Sequence, residues 1–188
     1  MIYYIADTHF GHSHIIQYSH RPFADVAEMD RTLIKNWNSR VTDNDDIYIL
    51  GDLFFRNDYS AEDVLDKLKG KKHLAIGNHD QFLNTIDAEK YFEEVADILE
   101  VTDGGNRVIL CHYPILVWKA SHRGSYHLYG HVHNTKHNCT EAQWNILMGA
   151  DHAFNAGVDV NGYMPVTFDE VIAYNLAFRE QELSPAYV

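Results

Sequence analysis

Short apolar runs alternate with longer stretches of helical period along the chain. Ile2–Ala6, Ile47–Leu50 and His73–Ile76 read as strands. Val26, Met29, Leu33, Ile34, Trp37 and Val41 fall on one stripe, which predicts a helix over about Asp25–Val41. Asp25 followed three positions later by Glu28 resembles a capping box at its start. A second helix is expected from Ser60, a suitable N-cap, to Lys69, with Gly70 as its stop. Ala88–Val95 also reads as helical. Ile98–Thr102 and Arg107–Cys111 flank Asp103-Gly104-Gly105-Asn106, the composition of a hairpin turn. Tyr126–Tyr129 and a stretch near Phe154–Val158 read as further strands. Thr167 with Glu170 opens a C-terminal helix carrying Val171, Tyr174 and Phe178. No repeat, low-complexity tract or Pro/Gly-rich linker divides the chain, so the pattern predicts one domain of layered α/β type.

Length agrees with that reading, since 188 residues suit a single domain. No run approaches the ~18 consecutive apolar residues of a membrane span. Met1-Ile2-Tyr3-Tyr4-Ile5 has no basic leader, and the expectation is a cytoplasmic protein without a membrane partner. Cys111 and Cys139 have the spacing of neither a disulfide framework nor a zinc knuckle. A formal net charge of −12 argues against non-specific nucleic-acid binding, which is driven by basic surface. An anionic substrate stays open, because a local metal charge can dominate the field in a cleft. Thirteen histidines are the informative excess, and their positions decide their meaning.

Five polar motifs each follow directly on an apolar run. Asp7-Thr8-His9 follows the first strand, Gly51-Asp52 the second, and Gly77-Asn78-His79-Asp80 the third. His112 follows Val108–Cys111, and Gly130-His131-Val132-His133 follows Leu128-Tyr129. If the runs are strands, five sets of ligand-type side chains sit at strand carboxyl ends, where open α/β sheets place their sites. In extended chain, residues i and i+2 share a side, so Asp7 with His9, and His131 with His133, can converge. Glycines 51, 77 and 130 let backbone approach a bound ion closely or take positive φ. Singly, Asp7 and Asp52 suit turn or helix caps, Asn78 a turn, and each His a hydrogen-bonded core. The ordered set of five favours a metal site.

This order resembles the calcineurin-like metallophosphoesterases, whose signature runs Asp-x-His, Gly-Asp-x-x-Asp, Gly-Asn-His-Asp/Glu, a lone His and Gly-His-x-His. The match spans residues 7 to 133, and the compact length is similar to the small bacterial and phage members. One position departs: Phe55 stands where the signature has the last Asp of Gly-Asp-x-x-Asp. The resemblance implies an α/β/β/α sandwich. It also implies one divalent ion on Asp7, His9, Asp52 and His133, and another on Asp52, Asn78, His112 and His131, with Asp52 between them. His79 would stay off the ions as general acid near the leaving group, with Asp80 as its orienting partner. An all N/O donor set without thiolate suits Mn, Fe, Zn, Co or Ni. Two such ions roughly 3.5–4 Å apart can hold a hydroxide between them for in-line attack on phosphorus.

The remaining candidates are weaker. His12, in a second His-x-His with His14, is a candidate substrate contact, ahead of a third metal site. Arg123, in the segment Trp118–Gly124, is another, if that loop reaches over the cleft. Arg21 and Arg56 read as surface charge ahead of phosphate contacts. Asn155 and Asp159 read as closing a strand, ahead of a role near the site. His20, His73, His137 and His152 read as surface or structural. The function expected is hydrolysis of a phosphomonoester or small phosphodiester. A nuclease on the same centre is the nearest alternative, and nucleic acid the less favoured substrate. A non-catalytic scaffold is the alternative of another class, opposed by the complete ligand set and His79.

Overall fold

The computed structural model describes residues 1–55 and 60–183. Arg56 lies outside the described residues. Strands β1 (Ile2–Ile5), β2 (Asp46–Ile49), β3 (Lys71–Ala75) and β4 (Phe92–Ala96) form a parallel sheet in that order. Strands β5 (Ile98–Asp103), β6 (Asn106–Cys111), β7 (Tyr126–Tyr129) and β8 (Ala153–Asn155) form a second sheet. There β5 and β6 are the expected hairpin, and β6, β7 and β8 run parallel. The hairpin turn has φ of 56° at Gly104 and 86° at Gly105, the positive values that make two-residue turns favour glycine.

The period-two pattern explains the layering. Tyr3 and Ile5, with Ile47 and Ile49, face an outer core built on α2 (Val26–Arg40). Tyr4, Ala6 and Leu50 face the other way and meet Leu99, Val108, Leu110 and Leu128 of the second sheet. Helices α5 (Glu141–Met148) and α6 (Phe168–Leu183) cover the far side, where Trp144, Leu147 and Met148 pack with Tyr129 and Phe178. The result is the α/β/β/α sandwich, in a single domain. No helix among the described residues is long and apolar enough to cross a membrane.

Helix α2 begins where Asp25 accepts the Glu28 N–H at 2.7 Å, and it buries Met29, Leu33 and Trp37 at four-residue spacing. Trp37 is fully buried, and its indole N–H donates to the Lys69 carbonyl at 2.9 Å. Trp37→Ala is expected to lower the unfolding free energy by about 3–5 kcal/mol in urea titration. A loss below ~1 kcal/mol would mean the core closes around the cavity.

Two helices are shorter than expected. The segment from Ala88 is helical only as α4 (Ala88–Tyr91), and Phe92 already enters β4. Pairing with β3, through an irregularity at Lys72/His73, overrides the helical preference of Glu93 and Glu94. The helix after Ser60 is also shorter, α3 (Ala61–Leu65), although Ser60 caps it as expected. Helix α5 and the short α1 (Ile15–Tyr18) were not expected.

Candidate metal centre

All five motifs meet on one edge. Asp7 and His9 leave β1, Asp52 leaves β2, and Asn78 and His79 leave β3; His112 leaves β6, while His131 and His133 leave β7. Two donor groups result, Asp7–His9–His133 and Asp52–His112–His131, each with ligand atoms within 4.8 Å of one another. Asp52 lies between them, its Oδ2 3.7 Å from His9 Nε2 and 3.4 Å from His112 Nε2. Asn78 Oδ1 is 3.1 Å from His112 Nε2, which adds it to the second group. The seven side chains that the resemblance points to therefore lie together.

The backbone is shaped around these donors. Asp7, His9, Asp52, His131 and His133 all have left-handed φ, between 50° and 71°. Such a conformation costs a non-glycine residue about 1–3 kcal/mol and persists only where surroundings enforce it. Here the loops enforce one another: Asp7 N–H donates to the Gly51 carbonyl at 3.1 Å, and His9 N–H to Asp52 at 3.0 Å. Gly77 serves close approach, since a Cβ there would lie 2.4 Å from Asp52 Oδ1.

Hydrogen bonds fix the imidazoles. His112 Nδ1 is 2.8 Å from the Leu50 carbonyl, so it carries the proton and leaves Nε2 as a donor atom. His133 Nδ1 donates to Asp159 at 2.7 Å with the same effect. Both ring nitrogens of His9 are buried without a hydrogen-bond partner. An unmet buried polar atom costs about 1–3 kcal/mol, and coordination to a cation would relieve it. The residues present thus fit a pair of divalent ions.

The electrostatics agree. Burial, then the charges of His133 and Arg21, hold His9 well below the usual histidine range. Burial and His112 push His131 down to about 4. Burial, then His79, pushes His12 down to about 4. His9 and His131 therefore stay neutral, the form that coordinates metal. His112 moves up to about 9, because burial is outweighed by its bond to Asp52 and the charges of Asp7 and Asp52. A cation would take the place of that proton.

Other candidates fall differently. His12 lines the ≈ 660 Å³ cleft over the donors and stacks on Phe55 at 3.7 Å between centroids. Phe55, standing at the departed signature position, also meets the His79 ring edge-on at 4.8 Å. His79 lines the cleft, as do His14 and His137. Asp80 does not orient His79 through its carboxylate. It accepts backbone N–H groups of Gly77, Asp52 and Leu53 at 2.8, 3.0 and 2.9 Å, and so fixes the turn that carries Asp52. Arg123 is not among the cleft-lining residues. It is exposed and donates to His122, in a 3-10 turn bounded by left-handed Ala120 and Gly124, and Lys119 beside it pairs with Glu100.

Asn155 closes β8 as expected, whereas Arg21 and Asp159 depart from the first reading of the sequence. Arg21 is buried, not surface, and its guanidinium pairs with Asp159 at 2.8 Å behind the donors. Asp159 holds His133, and Asn155 donates to the His133 carbonyl at 2.7 Å. Asp159 had a signal, since it too is a polar residue just after an apolar strand segment. Arg21 had none.

No family model matches the chain. The uncharacterized protein MJ1445 of Methanocaldococcus jannaschii is 35% identical over 173 residues, covering 91% of this chain and 89% of that one. The Gene 66 protein of Mycobacterium phage L5 is 28% identical over 162 residues, 70% of this chain and 77% of its own. The crystal structure of the protein of unknown function AQ665 from Aquifex aeolicus superposes with a TM-score of 0.69 at 25% identity, covering 92% of this chain and 98% of that one.

Proposed function

We propose that the chain, which belongs to one family with MJ1445 and whose motifs and sandwich fold resemble those of the calcineurin-like metallophosphoesterases, is a two-metal hydrolase of phosphate esters. The observation that carries this is Asp52, with one carboxylate oxygen between two complete donor groups. Asp7, His9, Asp52 and His133 would hold one ion, and Asp52, Asn78, His112 and His131 the other. When bound, divalent ions so placed supply Lewis-acid activation of water and neutralise charge on the phosphoryl oxygens.

The chain's own groups do the rest. His79 is tethered through its backbone N–H to Asp52 Oδ1 at 2.8 Å, so its position is tied to the centre. Its imidazole lines the cleft and can deliver a proton to the departing oxygen, a contribution of roughly 10²–10⁴-fold. Phe55 limits the swing of that ring on one side. His12, neutral at physiological pH, offers a hydrogen bond rather than a charge to the substrate. The substrate class is a phosphomonoester or small phosphodiester, and the net charge of −12 disfavours long nucleic acids.

An activity screen decides this. A chromogenic diester, a monoester and single-stranded DNA are offered to the protein with Mn, Fe, Zn, Co or Ni. Turnover of small esters that requires added metal is expected. Preference for DNA would move the reading to a nuclease. Absence of P–O cleavage with two ions bound would make the protein a scaffold.

A further inference from the structure

We propose that Asp159 and Arg21 are positioning residues for one ion only, the one held by Asp7, His9 and His133. This rests on the two-ion reading of the cleft. The Asp159 carboxylate takes the His133 Nδ1 proton donor at 2.7 Å on Oδ2. The same carboxylate receives Arg21 Nε at 2.8 Å and a terminal nitrogen at 3.1 Å. Of the remaining guanidinium donors, one goes to the Thr8 carbonyl at 2.9 Å, one to the Asp7 carbonyl at 2.7 Å, and one to Met29 Sδ at 3.4 Å. One planar fork therefore reaches the left-handed turn bearing Asp7 and His9 and, through Asp159, the ring of His133. Lysine, a point charge on a flexible stem, cannot make these contacts together.

The neighbouring donor group is supported differently. His112 is oriented by the Leu50 carbonyl, and the Asp52 turn is fixed by backbone amides donating to Asp80. Neither support involves Arg21 or Asp159. Both side chains of the pair are fully buried, so a role confined to core stability is the competing account. The two accounts differ in what happens to the ions. A core role weakens folding and treats both ions alike, whereas a positioning role weakens one.

Asp159→Asn keeps the shape and one acceptor oxygen but removes the charge. The metal-free protein is titrated calorimetrically with Mn²⁺, the bound metal is counted by elemental analysis, and the His133 tautomer is followed by ¹⁵N NMR. Wild type is expected to bind two ions. Asp159→Asn should keep one at wild-type affinity and bind the other about 10–100-fold more weakly, the range for losing a ligand's hydrogen-bond partner. His133 should leave its single Nδ1–H tautomer for a mixture, and Arg21→Lys should behave alike. Two ions at unchanged affinity, or equal weakening of both in a folded protein, would overturn the proposal. If the unpaired Arg21 prevents folding, Arg21→Gln with Asp159→Asn removes the stranded charge and is measured instead. Failure of that neutral pair to fold would assign the residues to the core and end the proposal. A wild-type protein that binds no ion would instead sink the two-ion reading itself.

Discussion

Asp52→Asn is expected to give a folded protein that has lost both ions and, with them, phosphoesterase activity. The carboxylate stands 3.7 Å from one imidazole nitrogen and 3.4 Å from another, each in a different donor group. Loss of a ligand's outer partner alone costs about 10–100-fold in affinity, and removing charge from the ligand itself exceeds that. Affinity for both ions should therefore fall by at least about 10²-fold. Asn is isosteric, so the Oδ1 that accepts the His79 N–H is kept in shape. Elemental analysis together with a thermal melt checks the result. Two retained ions would remove Asp52 from the bridging role.

His79→Ala separates the ions from the proton. The backbone N–H that reaches Asp52 survives this substitution, so metal content should stay at the wild-type value. Turnover of an alkyl ester, whose leaving oxygen needs a proton, should fall roughly 10²–10⁴-fold. A nitrophenyl ester, with its stable leaving anion, should lose far less. Equal losses for both esters would deny His79 the general-acid role and leave it as a wall of the cleft.

Much of this site is written locally. A strand that ends in Asp-Thr-His or Gly-His-Val-His states both its position and its chemistry, and all seven implied ligands are found together. The same holds for α2, whose period and cap lie within sixteen residues, Asp25–Arg40. What was not legible depends on distant partners. Arg21 reads as a surface cation until Asp159, far along the chain, is folded against it. Asp80 reads as a partner for its neighbour His79, yet its carboxylate serves Asp52 and Leu53 on another strand end. Phe92–Ala96 carries two glutamates with helical preference, and only an available edge on β3 makes it a strand. Helix α5 is a separate case, because Thr140 and Gln143 form a complete capping box that was open to view.

The division of donors between the two sheets has a mechanical consequence. Asp7, His9, Asp52 and Asn78 come from one sheet, and His112, His131 and His133 from the other. Each ion would therefore be gripped from both layers, like a rivet through two plates. At this rim the layers already touch through Ala6 and the chain at Ala156–Val158. Binding of the cations would add a second fastening beside those backbone bonds, so the metal-loaded sandwich should resist separation of its layers at this rim more than the metal-free one.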